Sequence, residues 1–210
     1  MTDLLVPPDE IERLTRERPI LFQGDMVRAI LSGSKTQTRR IVKGMALDWL
    51  QPGVFTPEFV AAPENDMCPH GKKGDRLWVR EAFSGCHEYD VEKFPPSAWF
   101  RLDPLWYWAD GNPTSGDWTR PKPSIHMPRW ASRITLEITE VRVERLNSIS
   151  EVDAIAEGVN VHPDHHGKSR SSIYSPVQAY RDLWERINGS GSWEANPWVW
   201  CVSFRRIENV

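Results

Sequence analysis

The chain has 210 residues, of which 40% are hydrophobic and 26% are charged, and its formal net charge is −3. This balance is typical of a globular protein that buries a core, and it excludes a strongly basic protein that coats nucleic acid. A nucleic-acid partner would therefore bind at a local patch, or be as small as a nucleoside.

The three cysteines, Cys68, Cys86 and Cys201, cannot all pair with one another, so we expect reduced thiols in a reducing compartment. Acidic residues lie within the first ten positions, and no long apolar run follows them, which argues against a signal peptide. No stretch approaches the roughly 20 apolar residues of a membrane span. The sequence therefore predicts a cytoplasmic protein that does not bind membranes.

The N-terminal third predicts a strand, a helix and a second strand after a polar lead-in at residues 1–18. The first strand covers residues 19–22. The helix begins near Asp25 and ends at Gly33, because apolar residues recur on one helical face and glycine favours a helix end. The second strand runs from Thr36 to Val42. Residues 44–73 contain several prolines and glycines without a clear period, so we predict an insertion or a long loop.

The middle of the chain predicts strands separated by a second insertion at about residues 99–128. A turn at Gly74 and Asp75 precedes a strand over residues 76–81. Another strand is predicted over residues 99–108, broken near Pro104, and residues 109–128 are predicted as a loop. The clearest strand covers residues 133–146, where apolar and polar residues alternate.

The C-terminal part predicts two helices and a closing strand. Ser150 and Asp153 resemble a capping arrangement for a short helix that ends at Gly158, and a polar loop follows at residues 159–174. A longer helix begins at Ser175 and Pro176. The last strand, residues 198–206, is apolar on both faces, which predicts a central place in a sheet. Several strands with few helices favour a small barrel or an α+β fold.

The segment from Gly33 to Arg40 carries the most distinctive pattern. Lys35 lies at the corner between the predicted helix and strand, and Thr36, Thr38 and Arg40 share one face of that strand. An amine, a hydroxyl and a guanidinium are thus brought to one strand end. Taken alone, this pattern fits a solvated basic surface at least as well as a functional site.

The pattern Gly33-x-Lys35-Thr36-x-Thr38-x-Arg40 resembles the signature of the ASCH domain family, a branch of the PUA-like superfamily. Segments that resemble the family's later motifs follow in order at residues 74–81, 134–143, 150–158 and 198–205. The resemblance covers most of residues 19–207. It implies a single ASCH domain of the α+β class, built as a β-barrel of about six strands with flanking helices. The aromatic residues around positions 106–108 and 128–130 resemble those of ASCH proteins carried by phages and prophages.

The resemblance also implies an activity. Small bacterial ASCH proteins include amidohydrolases that remove the acyl group from N4-acetylcytidine, and their catalytic lysine, threonine and glutamate match Lys35, Thr38 and Glu157. Thr38 would supply a hydroxyl, Lys35 would act as a base or nucleophile in its neutral form, and Glu157 would carry a proton. Candidate substrate-binding residues, chosen for charge or for stacking on a base, are Arg40, Trp78, Arg80, Glu81, Trp106 and Trp108.

Alternatives to the hydrolase remain open at this point. The chain could be a non-catalytic module that binds RNA or a nucleotide, or a ribonuclease, although no acidic metal-binding cluster supports the latter. The aromatic residues fit core packing as well as base stacking. Cys68, His70 and the histidines at 162, 165 and 166 lack the four-ligand spacing of a zinc site, so neither a metal nor a cofactor is expected. The expected partner is a modified nucleoside or RNA.

Overall fold

The computed structural model of the chain describes residues 15–86, 105–159 and 175–207. The strands in these ranges are β1 (Glu17–Leu21), β2 (Gln37–Ile41), β3 (Arg76–Arg80), β4 (Phe83–Gly85), β5 (Leu105–Tyr107), β6 (Thr135–Arg145) and β7 (Trp198–Ile207). The α-helices are α1 (Gly24–Leu31), α2 (Met45–Trp49), α3 (Pro57–Ala61), α4 (Glu151–Ala156) and α5 (Pro176–Asn188). No helix of the described ranges is long and apolar enough to cross a membrane.

Hydrogen bonds join five of these strands in the order β1-β3-β6-β7-β2, while β4 and β5 form a separate two-stranded pair. The mixed α/β class is confirmed, and so is the central place of the last strand, which lies between β6 and β2. The predicted barrel of about six strands is wrong. Within the described residues the sheet has two edges, β1 and β2, and is not closed, because β4 and β5 pair with each other and do not extend it.

The described residues form two compact units, of which the first comprises residues 15–28, 74–86, 105–137 and 206–207. In its described part, β1 runs parallel to β3, and β3 runs antiparallel to the start of β6, with Leu77 opposite Leu136. Both leucines are fully buried, as period-2 alternation in a half-buried strand requires. Phe83 of β4 forms a small apolar cluster with Met127 and Ala131.

The second unit comprises residues 29–73 and 138–205. Here β2 runs antiparallel to β7, with Thr38 opposite Val202 and Arg39 opposite Cys201. Helix α5 begins with a capping box, in which Ser175 and Gln178 satisfy each other's backbone groups, and buries Tyr180 and Trp184. These two rings belong to the main apolar cluster of the unit, which consists of Leu146, Ile149, Ala154, Tyr180, Trp184, Trp193, Val199 and Cys201.

Most predicted elements are confirmed, with differences of a few residues at their ends. The loop predicted at 44–73 is wrong in part, because this segment contains α2 and α3. Helix α3 begins with Thr56, whose side chain accepts a hydrogen bond from the Phe59 amide, and with Pro57 in its first turn. Of the strand predicted at 99–108, only β5 is described, since residues 87–104 lie outside the described ranges. The lead-in up to residue 14 and the predicted loop at 160–174 also lie outside them, and the single domain at 19–207 and its two insertions stay predictions.

Candidate functional site

Lys35 is held between α1 and β2 by the ends of two helices. Gly33 adopts a left-handed backbone conformation, with φ of 78°, which turns the chain out of α1. The amide of Lys35 then donates to the carbonyl of Ala29, and the amide of Thr36 donates to the carbonyl of Ala156. Lys35 also forms an isolated antiparallel bridge with Glu157. These main-chain contacts fix the start of β2 against the C-terminal end of α4.

Glu157 is positioned as the C-cap of α4. The helix begins where the Ser150 side chain accepts a hydrogen bond from the Asp153 amide, as the sequence predicted, and Gly158 follows it with φ of 81°. The backbone at Gly158 passes so close to Lys35 that an added Cβ would lie 2.8 Å from the Lys35 Cβ. Glu157 therefore lies beside Lys35, and the glycine that follows it allows the two stretches of backbone to pass close together.

The Lys35 amine and the Glu157 carboxylate form a buried ion pair. Lys35 Nζ donates to Glu157 Oε2 at 2.8 Å and to the main-chain oxygen of Glu157 at 2.9 Å. Burial lowers the pKa of Lys35 from its usual value, although the negative charge and the hydrogen bond of Glu157 oppose that change. A lowered pKa increases the fraction of neutral amine, which is the form that can act as a base or a nucleophile.

Arg39 joins this pair to a wider set of polar groups. Its Nη1 donates to Glu157 Oε1 at 3.3 Å and to Gln37 Oε1 at 2.6 Å. Its Nη2 lies 3.3 Å from a carboxylate oxygen of Glu144 and 3.3 Å from one of Asp153. Burial opposes the charge of Arg39, but the surrounding acidic groups raise its pKa above the usual value. The guanidinium is therefore a permanent charge within the site.

The two predicted residues within β2, Thr38 and Arg40, lie on the face opposite to the one that contacts Glu157. Gln37 and Arg39 alternate with them along the strand, and these two side chains bind Asp153 and Glu157. Thr38 is buried. The positive charge of Arg40 helps to lower the pKa of Lys35, after the larger effect of burial. The role of Thr38 stays a prediction.

Arg39 and Gln37 were missed at the level of sequence. Their signal was present, because residues two and four positions after Lys35 lie on the same side of an extended chain. The pattern of Thr36, Thr38 and Arg40 indicated the opposite face of the strand instead.

The remaining predicted residues lie in the first unit, where Arg133 binds the predicted carboxylate. Arg133 Nε and Nη2 donate to the two oxygens of the buried Glu81 at 3.0 and 3.1 Å, and Arg133 also pairs with Asp110. Its guanidinium lies 4.0 Å from the ring centre of Tyr107. Burial raises the pKa of Glu81, and the hydrogen bonds of Arg133 oppose that change. Glu81 is thus already engaged within its own unit.

The aromatic candidates and Arg80 are also engaged with neighbouring groups of the first unit. Trp106 Nε1 donates to the carbonyl of Gly111, and Trp108 Nε1 donates to the hydroxyl of Ser84. Arg80 donates to the carbonyl of Ile125, and its guanidinium lies 5.3 Å from the ring centre of Trp78. Trp78, Trp106 and Trp108 are each half-buried, so part of every ring surface is accessible. Their substrate-binding roles stay predictions.

The second unit contains a cavity of about 580 Å³, lined by residues of the segments 61–73 and 139–141, among them Cys68, Lys72 and Glu140. Lys35 and Glu157 do not line it. Across the described part of the chain, no group of three or more His, Cys, Asp and Glu side chains is placed to hold a metal ion. The histidines at 162, 165 and 166 lie outside that part.

Comparison with known proteins adds one structural likeness. No family model matches the chain, and no curated protein matches it. A crystal structure of an ASCH domain from Lactobacillus crispatus JV V101 is similar at 16% sequence identity and a TM-score of 0.39, over 96% of this chain and 86% of that one. A TM-score below 0.5 does not assign a fold.

Proposed function

We propose that this chain is a nucleic-acid-related protein of the ASCH type that hydrolyses the amide bond of N4-acylated cytidine or a similar modified nucleoside. The residues proposed for the reaction are Lys35, Thr38 and Glu157, as the sequence resemblance implies. The single observation that carries the proposal is the buried pair between the Lys35 amine and the Glu157 carboxylate, 2.8 Å apart.

The pair is suited to moving one proton. A neutral Lys35 can take the proton of an attacking hydroxyl, either that of Thr38 or that of water, while the hydroxyl oxygen bonds to the acyl carbon. Glu157 lies within hydrogen-bond reach of the resulting ammonium, so it can relay the proton toward the leaving nitrogen at position 4 of the base. The C–N bond then breaks and the nucleoside leaves as an amine. If water attacked, the acyl group leaves directly as a carboxylic acid; if Thr38 attacked, water then hydrolyses the ester formed on Thr38 and frees the acid.

A second candidate is a binding module without turnover. It is favoured by the same burial, because the Lys35 side chain is fully buried and its amine already donates to two oxygens of Glu157. An ion pair of this kind also occurs as a purely structural feature of a protein core. Measurement of turnover separates the two functions.

The test is incubation of the protein with N4-acetylcytidine, followed by chromatographic measurement of cytidine. Lys35→Met and Glu157→Gln are expected to abolish release, and Thr38→Val reports on the hydroxyl. Lys43→Met is the matched control, because Lys43 is an exposed lysine of the same unit. Thermal unfolding of each variant shows that it is folded.

Release of cytidine by the wild type and by Lys43→Met, lost in Lys35→Met, supports the hydrolase. No release from a panel of acylated nucleosides, together with salt-sensitive binding of RNA, would overturn it and establish the binding module.

A further inference from the structure

Arg39 has the most extensive contacts in the buried network, and the mechanism proposed above does not use it. It shares Glu157 with Lys35: Arg39 Nη1 contacts Oε1 at 3.3 Å, and Lys35 Nζ contacts Oε2 at 2.8 Å. Each oxygen of the carboxylate therefore faces its own cation. Rotation of the carboxylate about its terminal bond would break both contacts at once.

Arg39 is itself held in one orientation by groups on three sides. Gln37 accepts from Nη1, while Glu144 and Asp153 flank Nη2. Gln37 and Asp153 are in turn joined by a hydrogen bond of 3.0 Å. The Arg39 side chain is fully buried, so water does not replace these contacts. Such a planar, multiply bonded guanidinium is a rigid support, and a lysine at the same place could not make all of its contacts.

We propose that Arg39 is a positioning residue for the amide hydrolysis proposed above, holding the Glu157 carboxylate in the orientation in which Oε2 faces the Lys35 amine. It does not contact the substrate in this role. The kinetic part of the inference rests on the proposed function, whereas its effect on Lys35 does not.

The charges around Lys35 give the direction of that effect. Glu157, at the end of α4, favours the ammonium form, and Arg39 and Arg40 of β2 oppose it. The groups that face Arg39 from neighbouring elements include Cys201 of β7, Glu144 of β6, Asp153 of α4 and Tyr180 of α5. Burial and Arg40 would still lower the pKa of Lys35 without Arg39, but one of the opposing positive charges would be gone, so Lys35 would keep its proton to a higher pH.

The experiment compares Arg39→Gln, which removes the charge, with Arg39→Lys, which keeps it. Arg181→Met is the matched control, because Arg181 makes an exposed ion pair with Glu194 in the same unit. Three quantities are measured against pH. They are kcat and KM for N4-acetylcytidine, and the nitrogen chemical shift of the Lys35 amine, whose signal is assigned by its absence in Lys35→Met.

For Arg39→Gln we expect kcat at neutral pH to fall on the order of a hundredfold, with little change in KM, because the reacting groups are misplaced while substrate contacts persist. The acidic limb of the kcat profile and the titration of Lys35 should both move to higher pH. Arg39→Lys should keep the titration near that of the wild type and still lose much of kcat. If Arg39→Gln does not fold, Arg39→Lys alone tests the proposal. An unchanged kcat in Arg39→Lys would then overturn it.

The two proposals fail in different ways. If the wild type releases no cytidine but the Lys35 titration moves to higher pH in Arg39→Gln, the hydrolase is refuted and the influence of Arg39 on Lys35 stands. If kcat falls while the acidic limb and the Lys35 titration stay where they are in the wild type, Arg39 only stabilises the fold and the inference is refuted.

Discussion

Gly158 gives the sharpest test of how closely the site is packed, through the substitution Gly158→Ala. Its φ of 81° is unfavourable for a residue with a Cβ, at a cost of about 1–2 kcal/mol. The new Cβ would also lie 2.8 Å from the Lys35 Cβ and 3.0 Å from the Ala29 Cβ. Both atoms are attached directly to the main chain and cannot swing away, so overpacking adds about 1–3 kcal/mol. We therefore expect the free energy of unfolding to fall by about 2–5 kcal/mol.

Gly191→Ala separates the two contributions to this loss. Gly191 has nearly the same backbone conformation, with φ of 80°, but an added Cβ there would meet nothing within 4 Å. Only the backbone cost of about 1–2 kcal/mol should appear. Urea denaturation gives both values, and cytidine release should be impaired in Gly158→Ala alone. Equal losses of stability in the two variants would refute the close approach of Gly158 to Lys35.

Two further predictions concern acidic residues. The pKa of Asp153 is lowered, since hydrogen bonds from Gln37 and Ser150 and the charge of Arg39 outweigh its partial burial. Its contribution to stability is therefore present at neutral pH and lost as the pH falls below the usual aspartate value of about 3.9. Asp153→Asn should lower the free energy of unfolding at pH 7 and lose that difference in acid, and a difference that persists at low pH would contradict this. Glu81→Gln should lower the free energy of unfolding by about 1.5–3 kcal/mol, because the charge-assisted hydrogen bonds from Arg133 to a buried carboxylate are lost. Asp110→Asn changes an exposed carboxylate and should lower it by less than about 1 kcal/mol. Similar losses in the two variants would contradict a contribution from the buried Glu81–Arg133 pair.

The elements that the sequence predicted well have local signals. Helix α5 is an example, since Ser175 and Pro176 mark its start and the apolar face that follows repeats with the helical period. The short helices at 44–73 were missed although Thr56 and Pro57 carry the same kind of signal, because five residues are too few to show a period. Local order in such a segment depends on contacts such as the stacking of Phe55 on Phe59, which the sequence does not reveal.

The candidate site was predictable only in part, for a geometric reason. Alternation along β2 indicates which residues share a face, but it does not indicate which face meets Glu157, 118 residues further along the chain from Arg39. The resemblance supplied Lys35 and Glu157, which the structure brings together. Arg40 was predicted as a substrate-binding residue, and the structure adds Arg39, whose guanidinium contacts Glu157. The open sheet could not be predicted from the sequence either, because closure depends on which distant strands pair at the edges.

The pairing of β2 has a consequence for the order in which the chain becomes functional during synthesis. β2 is an edge strand, and its hydrogen-bonded neighbour is β7, at residues 198–207. Glu157 leaves the ribosome 122 residues after Lys35, and β7 leaves after both. β7 must therefore be synthesised before β2 has both the acid and its neighbouring strand. A nascent chain that stops before β7 would expose a positively charged edge without its neighbouring strand, and would have no assembled site to act with.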